Sequence, residues 1–489
     1  MTSTANTVVC DNFLNGVWTK GEAGNRDQFS PVTGEKLGSV SLPSPAQVRQ
    51  AIEAAAVAQK EWAKQPPKER ARVLFEFRNI LLREADAIAR LKGLEAGKTF
   101  DEAKAGLLKG IEVLEFALSI QNLDLGGKVE VSRGVWCEYR REPLGVVANI
   151  TPFNFPAMVP MWTIPIVLAL GNAYVWKPSD KTPLTARKIA DALSEAGLPK
   201  GLLTVLHGGG ETVNAIIDNP LVKAVGFVGS TRVAKLVYQR ATNLGKRALC
   251  LGGAKNHIVL LPDASPALAG PGISDSFTGC AGQRCMAASV LLAVGDVQEH
   301  IDQVVKRAAS LKLGETMGAI ITKDQIAFLR DAIARAEKAG AKVLLDGRKA
   351  EAPKGKEKGN WLGPTILDHV RPGSEAAVEE LFGPVLSIIR CKDISEAMKI
   401  ENSNEYGNAC SVFTSSGPLA ERVAREASTG MVGVNVGVPV PREPFSFGGV
   451  NASKFGHGDI TGHHSLDFWS NVKKVTVKWE PQTDSTWMG

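Results

Sequence analysis

The stretch 203–242, LTVLHGGGETVNAIIDNPLVKAVGFVGSTRVAKLVYQRAT, decides the fold. It opens with a short apolar run, 203–206, that reads as a buried strand. The glycines Gly208-Gly209-Gly210 then make a turn, and 212–217 has helical spacing of apolar residues. The pattern repeats at once: 224–228 (AVGFV) is strand-like, Gly229-Ser230 turns, and 231–242 is helical. Strand, tight turn and helix, twice in forty residues, mean a parallel sheet with crossover helices.

The alternation extends outward in both directions. Upstream, 145–150 (GVVANI) and 173–177 are strand-like and 183–195 is helical. Downstream, a second series begins near Ile258 and includes a helix at 296–309 and strands at 342–345, 385–389 and 433–435. The segment 44–60 opens with Ser-Pro and carries apolar residues at helical spacing, so it predicts an N-capped amphipathic helix, and 67–97 continues in that manner. Two alternating pieces, 134–140 (GVWCEYR) and 473–479 (KKVTVKW), are strand-like and lie outside both series.

Composition narrows the function. The chain has 489 residues, enough for two or three domains. A net charge of +6, spread along the chain, gives no case for a nucleic-acid partner. The most apolar stretch, 158–176, approaches a membrane span in length but contains Pro160, Pro165 and Gly171-Asn172. It predicts a buried helix over 157–170 followed by the strand 173–177, and no membrane association. Seven cysteines without paired spacing, and no visible secretory leader, predict a reduced cytoplasmic protein. No His or Cys cluster has metal-ligand spacing.

The chemistry gathers around 277–287, FTGCAGQRCMA. A catalytic cysteine needs a lowered pKa, access to substrate, and donors for an oxyanion. The small neighbours of Cys280 and Cys285 permit close approach, and Arg284 adds positive charge; an inert buried thiol is the competing reading for either cysteine. The Gly208–Gly210 and Gly229-Ser230 turns each offer backbone N–H groups at a helix start to a phosphate, or are ordinary βα turns. Lys177 and Asp180, at the end of a strand, can hydrogen-bond a ribose or simply pair with each other.

Six pieces in order then carry a resemblance over nearly the whole chain: TPFNFP at 151–156, KPSD at 177–180, GFVGST at 226–231, GQRC at 282–285, EELFGPV at 379–385 and PFSFGG at 444–449. The chain resembles the aldehyde dehydrogenase superfamily. The resemblance implies an α/β fold of two Rossmann-like parallel-sheet domains with a cofactor cleft between them and a β-strand oligomerisation arm. The expected division is 1–125 and 146–252 for NAD binding, 253–450 for catalysis, and 126–145 with 451–489 for the arm. It implies Cys285 as nucleophile and Asn154, with the Cys285 N–H, as oxyanion hole. It implies Lys177 and Asp180 at the adenosine ribose, Gly210, Gly229 and Ser230 near phosphate, Glu380 at the nicotinamide ribose, and Phe153 and Phe382 beside the cofactor. Asp180 points to NAD rather than NADP, since a carboxylate repels a 2′-phosphate. Cys280 matches no catalytic position.

Hydrolytic members of that superfamily carry a glutamate that activates water, in a Glu-Leu-Gly-Gly-Lys motif. Here 249–257 reads LCLGGAKNH, which puts Leu251, or with a shifted alignment Cys250, at that place. Neither is a base. Water is a weak nucleophile at neutral pH, whereas a thiol of pKa about 8.5 supplies some thiolate unaided. Coenzyme A is therefore the expected acyl acceptor. The pieces MVPMW (158–162), GAKNH (253–257), QRCMA (283–287) and VGVNVGVPVP (432–441) resemble the CoA-acylating methylmalonate/malonate-semialdehyde dehydrogenases. The implied substrate is a short acid semialdehyde, its carboxylate near Arg284 and Lys109, where that subfamily has a second arginine; lysine keeps the charge without the bidentate fork. A homodimer or homotetramer is implied. The alternatives are a hydrolytic NAD(P)-dependent enzyme for another small anionic aldehyde, and a non-catalytic nucleotide-binding relative.

Overall fold

The computed structural model describes residues 8–123 and 125–479. The ends of the chain expected to belong to the first domain and the arm, 1–7 and 480–489, lie outside the described residues.

Two large sheets organise the molecule. The first has eight strands in the spatial order Lys454–Phe455, Arg247–Leu251, Val222–Val228, Val146–Ile150, Ala173–Lys177, Leu203–Val205, Asn12–Leu14, Val17–Thr19. The five from Arg247–Leu251 to Leu203–Val205 run parallel, and antiparallel strands close each side. Numbered along the chain, those five lie in the order 3-2-1-4-5, so the direction of winding reverses between Val146–Ile150 and Val222–Val228. Ligands of open parallel sheets bind in the crevice at such a reversal, outside the carboxyl ends of the strands. The strands read as continuous apolar runs because helices cover both faces: every residue of Val146–Ile150 is buried, and Trp176 and Tyr174 are fully enclosed.

The second sheet has seven strands, ordered Lys342–Leu345, Thr365–Asp368, Val385–Cys391, Ala288–Val294, Asn256–Leu260, Ala409–Phe413, Met431–Val434. All pairs are parallel except the antiparallel edge strand Lys342–Leu345. The chain passes between the sheets through Gly252–Lys255, from the carboxyl end of Arg247–Leu251 to the amino end of Asn256–Leu260. The carboxyl edge of the first sheet therefore faces the amino edge of the second.

Local chemistry accounts for the helices that frame this arrangement. Pro45–Lys64 opens with a capping box: the Ser44 side chain accepts from the Gln47 N–H, and the Gln47 side chain accepts from the Ser44 N–H. Phe100–Leu118 opens in the same way with Thr99 and Glu102. The expected single helix over 157–170 is two short ones, Met158–Met161 and Ile164–Ala169. Proline 165 has no N–H to give a preceding turn, so the chain stops at Trp162 and starts a fresh helix.

A third sheet stands apart. Ser470–Lys478 pairs antiparallel with Val135–Pro143, which pairs antiparallel with Gly126–Ser132. Part of the segment expected in the arm has another place: Lys454–Phe455 extends the first sheet beside Cys250 and Leu251, and Trp469 is fully buried in that domain's core. Among the described residues no helix is long and apolar enough to cross a membrane, and no group of three metal-ligating side chains gathers.

Candidate active site

The first-sheet candidates all come off carboxyl ends of strands. Phe153 and Asn154 follow Val146–Ile150, Lys177 ends Ala173–Lys177 with Asp180 in the turn after it, Gly210 follows Leu203–Val205, and Gly229 and Ser230 follow Val222–Val228. The second-sheet candidates come from segments entering amino ends: Cys285 precedes Ala288–Val294, and Glu380 and Phe382 precede Val385–Cys391. The fold thus brings the two sets to one seam.

At the candidate nucleophile, the Cys285 carbonyl accepts two side-chain amides, Asn256 Nδ2 at 2.7 Å and Asn408 Nδ2 at 2.8 Å. Asn256 also reaches the Ala287 carbonyl at 2.9 Å and accepts the Ala409 N–H at 3.1 Å. Three neighbouring strand starts are thereby tied to the backbone of one cysteine. The half-buried Cys285 side chain shares a small cavity with Glu380, Phe382 and Arg284. Burial, and secondarily the Glu380 carboxylate, push its thiol up to about 12, against the smaller pull of its own backbone N–H and of Arg284. Asn154 is buried, 7% exposed, and its Oδ1 has no hydrogen-bond partner among the described residues. A buried amide oxygen without a partner is costly and calls for a bound donor; a bound oxygen takes instead the Nδ2 hydrogens of the same amide.

Glu380 is held against the interdomain link. Its Oε1 accepts the Ala254 N–H at 2.8 Å, and a Cβ on Gly253 would come within 2.4 Å of its Oε2 and push the carboxylate aside. Burial pushes Glu380 up to about 7, opposed by the Ala254 N–H and by Lys255. Lys255 is itself fully buried, with Nζ unpartnered and its pKa brought down to about 8 by burial. Phe382, in the left-handed backbone region at φ +52°, meets Phe153 edge-on at 6.0 Å between ring centroids. Lys181 lies over the other end of Phe153 at 4.8 Å.

That contact leads to a cleft of roughly 630 Å³ lined by Lys177, Asp180, Lys181 and the Gly208-Gly209 turn. Asp180 Oδ1 accepts the Gly208 N–H at 2.9 Å and lies 3.9 Å from Lys177 Nζ. Gly208 has φ +125°, and a Cβ there would strike Thr212. Gly210 begins the helix Gly210–Asp218 and has nothing within 4 Å of its Cβ position, leaving open space for a ligand. Ser230 is the N-cap residue of Thr231–Asn243, but its side chain makes no cap hydrogen bond. The open glycine turn, the uncommitted Asn154 amide and the buried carboxylate at the seam fit an extended dinucleotide running from this cleft to Cys285.

The two expected substrate cations are both engaged. Arg284 Nη2 donates to the carbonyls of Asp275 and Ser276 at 2.5 and 2.8 Å. Lys109 Nζ is 2.9 Å from Glu112 and 3.0 Å from Glu443, while Arg442 lies 3.6 Å from Glu112. Leu251, at the end of its strand, is 4% exposed, and Cys250 is fully buried with its thiol raised by burial. Sequence reasoning missed Asn256, Asn408, Glu443 and Arg26, whose guanidinium reaches Asp180 from the strand Asn25–Phe29. Asn256 stands inside the quoted GAKNH motif; the others carry no local signal.

A parallel-sheet domain with an open glycine turn, meeting a half-buried cysteine at the seam of two sheets, has the architecture of a dinucleotide-dependent oxidoreductase. Residues 18–475 match the aldehyde dehydrogenase family, and the chain belongs to it. It is 40% identical over 476 residues to malonate-semialdehyde dehydrogenase 2 of Geobacillus thermodenitrificans, covering 96% of this chain and 98% of that one. The malonate-semialdehyde dehydrogenase of Halalkalibacterium halodurans is 37% identical with the same coverage. Among solved structures, a methylmalonate-semialdehyde dehydrogenase from Oceanimonas doudoroffii superposes with TM-score 0.95 at 38% identity, covering 97% of this chain and 99% of that one. A Sinorhizobium meliloti 1021 protein assigned the same activity and solved with NAD superposes with TM-score 0.95 at 38% identity, covering 98% and 99%.

Proposed function

We infer that the protein oxidises malonate or methylmalonate semialdehyde with NAD and delivers the acyl group to coenzyme A. Full-length relatives of that activity support the reading. The observation in this chain that carries the acyl-transfer half is the apolar, buried Leu251 where hydrolytic relatives hold a water-activating glutamate.

In this reading the Cys285 thiolate adds to the aldehyde carbon, and the carbonyl oxygen becomes an alkoxide. The Asn154 amide and the Cys285 N–H donate to that alkoxide where its charge develops. A bound nicotinamide would supply the hydride acceptor for the former aldehyde carbon. Glu380 and Phe382 orient it from the second domain, and Lys177 and Asp180 hold the far ribose. A thioester on Cys285 remains. Its carbonyl draws electrons as the β-carboxylate leaves as CO₂, and a proton then restores the acyl group. The thiol of coenzyme A attacks the thioester carbon, Cys285 leaves as thiolate, and acetyl-CoA or propionyl-CoA is released. In this reading Arg284 and Lys109 take the substrate carboxylate, each on exchange of its present partners. The same reading makes the protein a cytoplasmic homodimer or homotetramer.

One observation favours a hydrolytic second reading. Glu380, raised to about 7, shares the cavity of Cys285 and is a carboxylate of a pKa suited to a general base. Rapid mixing with semialdehyde and NAD, without coenzyme A, separates the two. Acyl transfer gives a burst of about one NADH per site and then a slow phase that coenzyme A accelerates. Full steady turnover without coenzyme A, with free acid as product, assigns the hydrolytic reaction instead.

A further inference from the structure

An aspartate at the adenosine ribose discriminates against a 2′-phosphate only while its charge is uncompensated. In this protein it is compensated twice. Asp180 Oδ1 accepts the Gly208 N–H and faces the Lys177 ammonium, and Oδ2 accepts Arg26 Nη1 at 2.5 Å. Both carboxylate oxygens are thus committed before any ribose arrives. The side chain of Asp180 is 8% exposed and that of Lys177 12%, whereas Arg26 is 51% exposed. Two of the three charges are fixed in the wall, and the third is a long cation at the mouth.

The guanidinium lies over the glycine turn. Its Nη2 is 3.4 Å from where a Cβ on Gly209 would stand, within the cleft that Gly208 and Gly209 help line. The other charges of the cleft do not cancel it. Asp27, on the same strand as Arg26, is paired with Lys36 at 2.7 Å. Asp324 acts on Lys181 from across the cleft.

We propose that Arg26 opens the adenosine ribose site to a 2′-phosphate, so that the protein takes NADP as well as NAD. The inference rests on the placement of the dinucleotide at Lys177 and Asp180. An ion pair with one partner half in solvent is weak, and a guanidinium fork matches a phosphate better than a single carboxylate oxygen. A 2′-phosphate brings a charge of about −1.5 to −2 at pH 7. Arg26 exchanges Asp180 for that phosphate by rotating its own side chain. Asp180 then keeps the Gly208 N–H and Lys177 and is not left as a bare buried charge. With NAD bound, Arg26 stays on Asp180, and Lys177 together with the remaining lone pairs of the Asp180 carboxylate serves the ribose hydroxyls.

Calorimetric titration of the ligand-free protein with adenosine 5′-monophosphate and with adenosine 2′,5′-bisphosphate tests this without turnover. The wild type binds the two within about tenfold of each other. Arg26→Gln weakens the bisphosphate at least about tenfold more than the monophosphate, and Arg26→Lys recovers part of the difference. In steady state, Arg26→Gln shifts the NADP to NAD ratio of kcat/KM downward by the same factor. A wild type that prefers the monophosphate by about a hundredfold, or a variant that loses both ligands equally, overturns the proposal. No binding of the monophosphate at all refutes the nucleotide site itself, which is a different failure.

Discussion

At the scale of the residue, Cys285 is positioned by what its carbonyl accepts, and its reactivity is set by what surrounds its sulfur. Burial and the Glu380 carboxylate hold the thiol near 12 in the ligand-free protein. The thiolate is therefore scarce at neutral pH and rises about tenfold per pH unit well beyond the range where an ordinary cysteine levels off near 8.5. Carbamidomethylation of ligand-free Cys285 by iodoacetamide is expected to climb through pH 9 without a plateau. Glu380→Gln, which removes a charge that disfavours the thiolate, is expected to make it faster above about pH 7, where Glu380 is ionised. A plateau below pH 8 would show a thiolate stabilised by something else. Cys285→Ala abolishes NADH formation, whereas Cys280→Ala keeps most of it; Asn154→Ala costs about two to three powers of ten in kcat. Cys285, Asn154 and Glu380 were legible as candidates because each sits in a short motif whose residue types suit one chemistry. Asn256 and Asn408 were not, because an asparagine that binds a main-chain carbonyl leaves no pattern in the sequence: its partner is 29 residues away in one case and 123 in the other.

At the scale of the element, the helix Phe100–Leu118 ties several parts of the site together. Its capping Glu102 also accepts the Cys280 N–H at 2.6 Å, so the helix start braces the loop that carries the nucleophile. Further along, Lys109 is bracketed by Glu112 from its own helix and Glu443 from the loop before Pro444. A substrate carboxylate that binds Lys109 has to displace Glu443, whose side chain is only 11% exposed. Glu443→Gln removes that competitor, and the KM for malonate semialdehyde is expected to fall about two- to fivefold while that for propanal hardly moves. An unchanged or raised KM would remove Lys109 from substrate binding. The sequence allowed Lys109 as a candidate cation but hid its partner, because Glu443 lies 334 residues on. Secondary structure was legible where a βα period repeats: the strand expected at 224–228 is Val222–Val228, and the helix expected at 231–242 is Thr231–Asn243. It was less so at the amino end, where the strands Val8–Cys10 to Lys36–Ser41 are short and mostly edge pairs without a clear alternation.

At the scale of the whole molecule, two sheets meet edge to edge and a third extends away from them. Alternation of strands and helices predicts parallel sheets but leaves strand order open, since 3-2-1-4-5 and a simple 1-2-3-4-5 have the same pattern along the chain. The observed order puts the reversal beside Val146–Ile150, the strand whose carboxyl end leads to Asn154. The third sheet raises the question of assembly. Its outer strand, Gly126–Ser132, is exposed along all seven residues, with Val129 and Val131 at 61% and 55%. A strand with an unpaired edge and apolar side chains in water is a template for another strand and a hazard if left open. Docking against a second subunit is the expected way to cover that edge; the sheet itself joins two distant parts of the chain, Val135–Pro143 and Ser470–Lys478. Light scattering at micromolar concentration is expected to give a dimer or a dimer of dimers. Replacing both valines, Val129→Lys with Val131→Lys, shifts the mass toward smaller species by putting like charges on the docking strand. A monodisperse monomer in the wild type would refute the arm's role in assembly, and a double variant of unchanged mass would move the contact to another face.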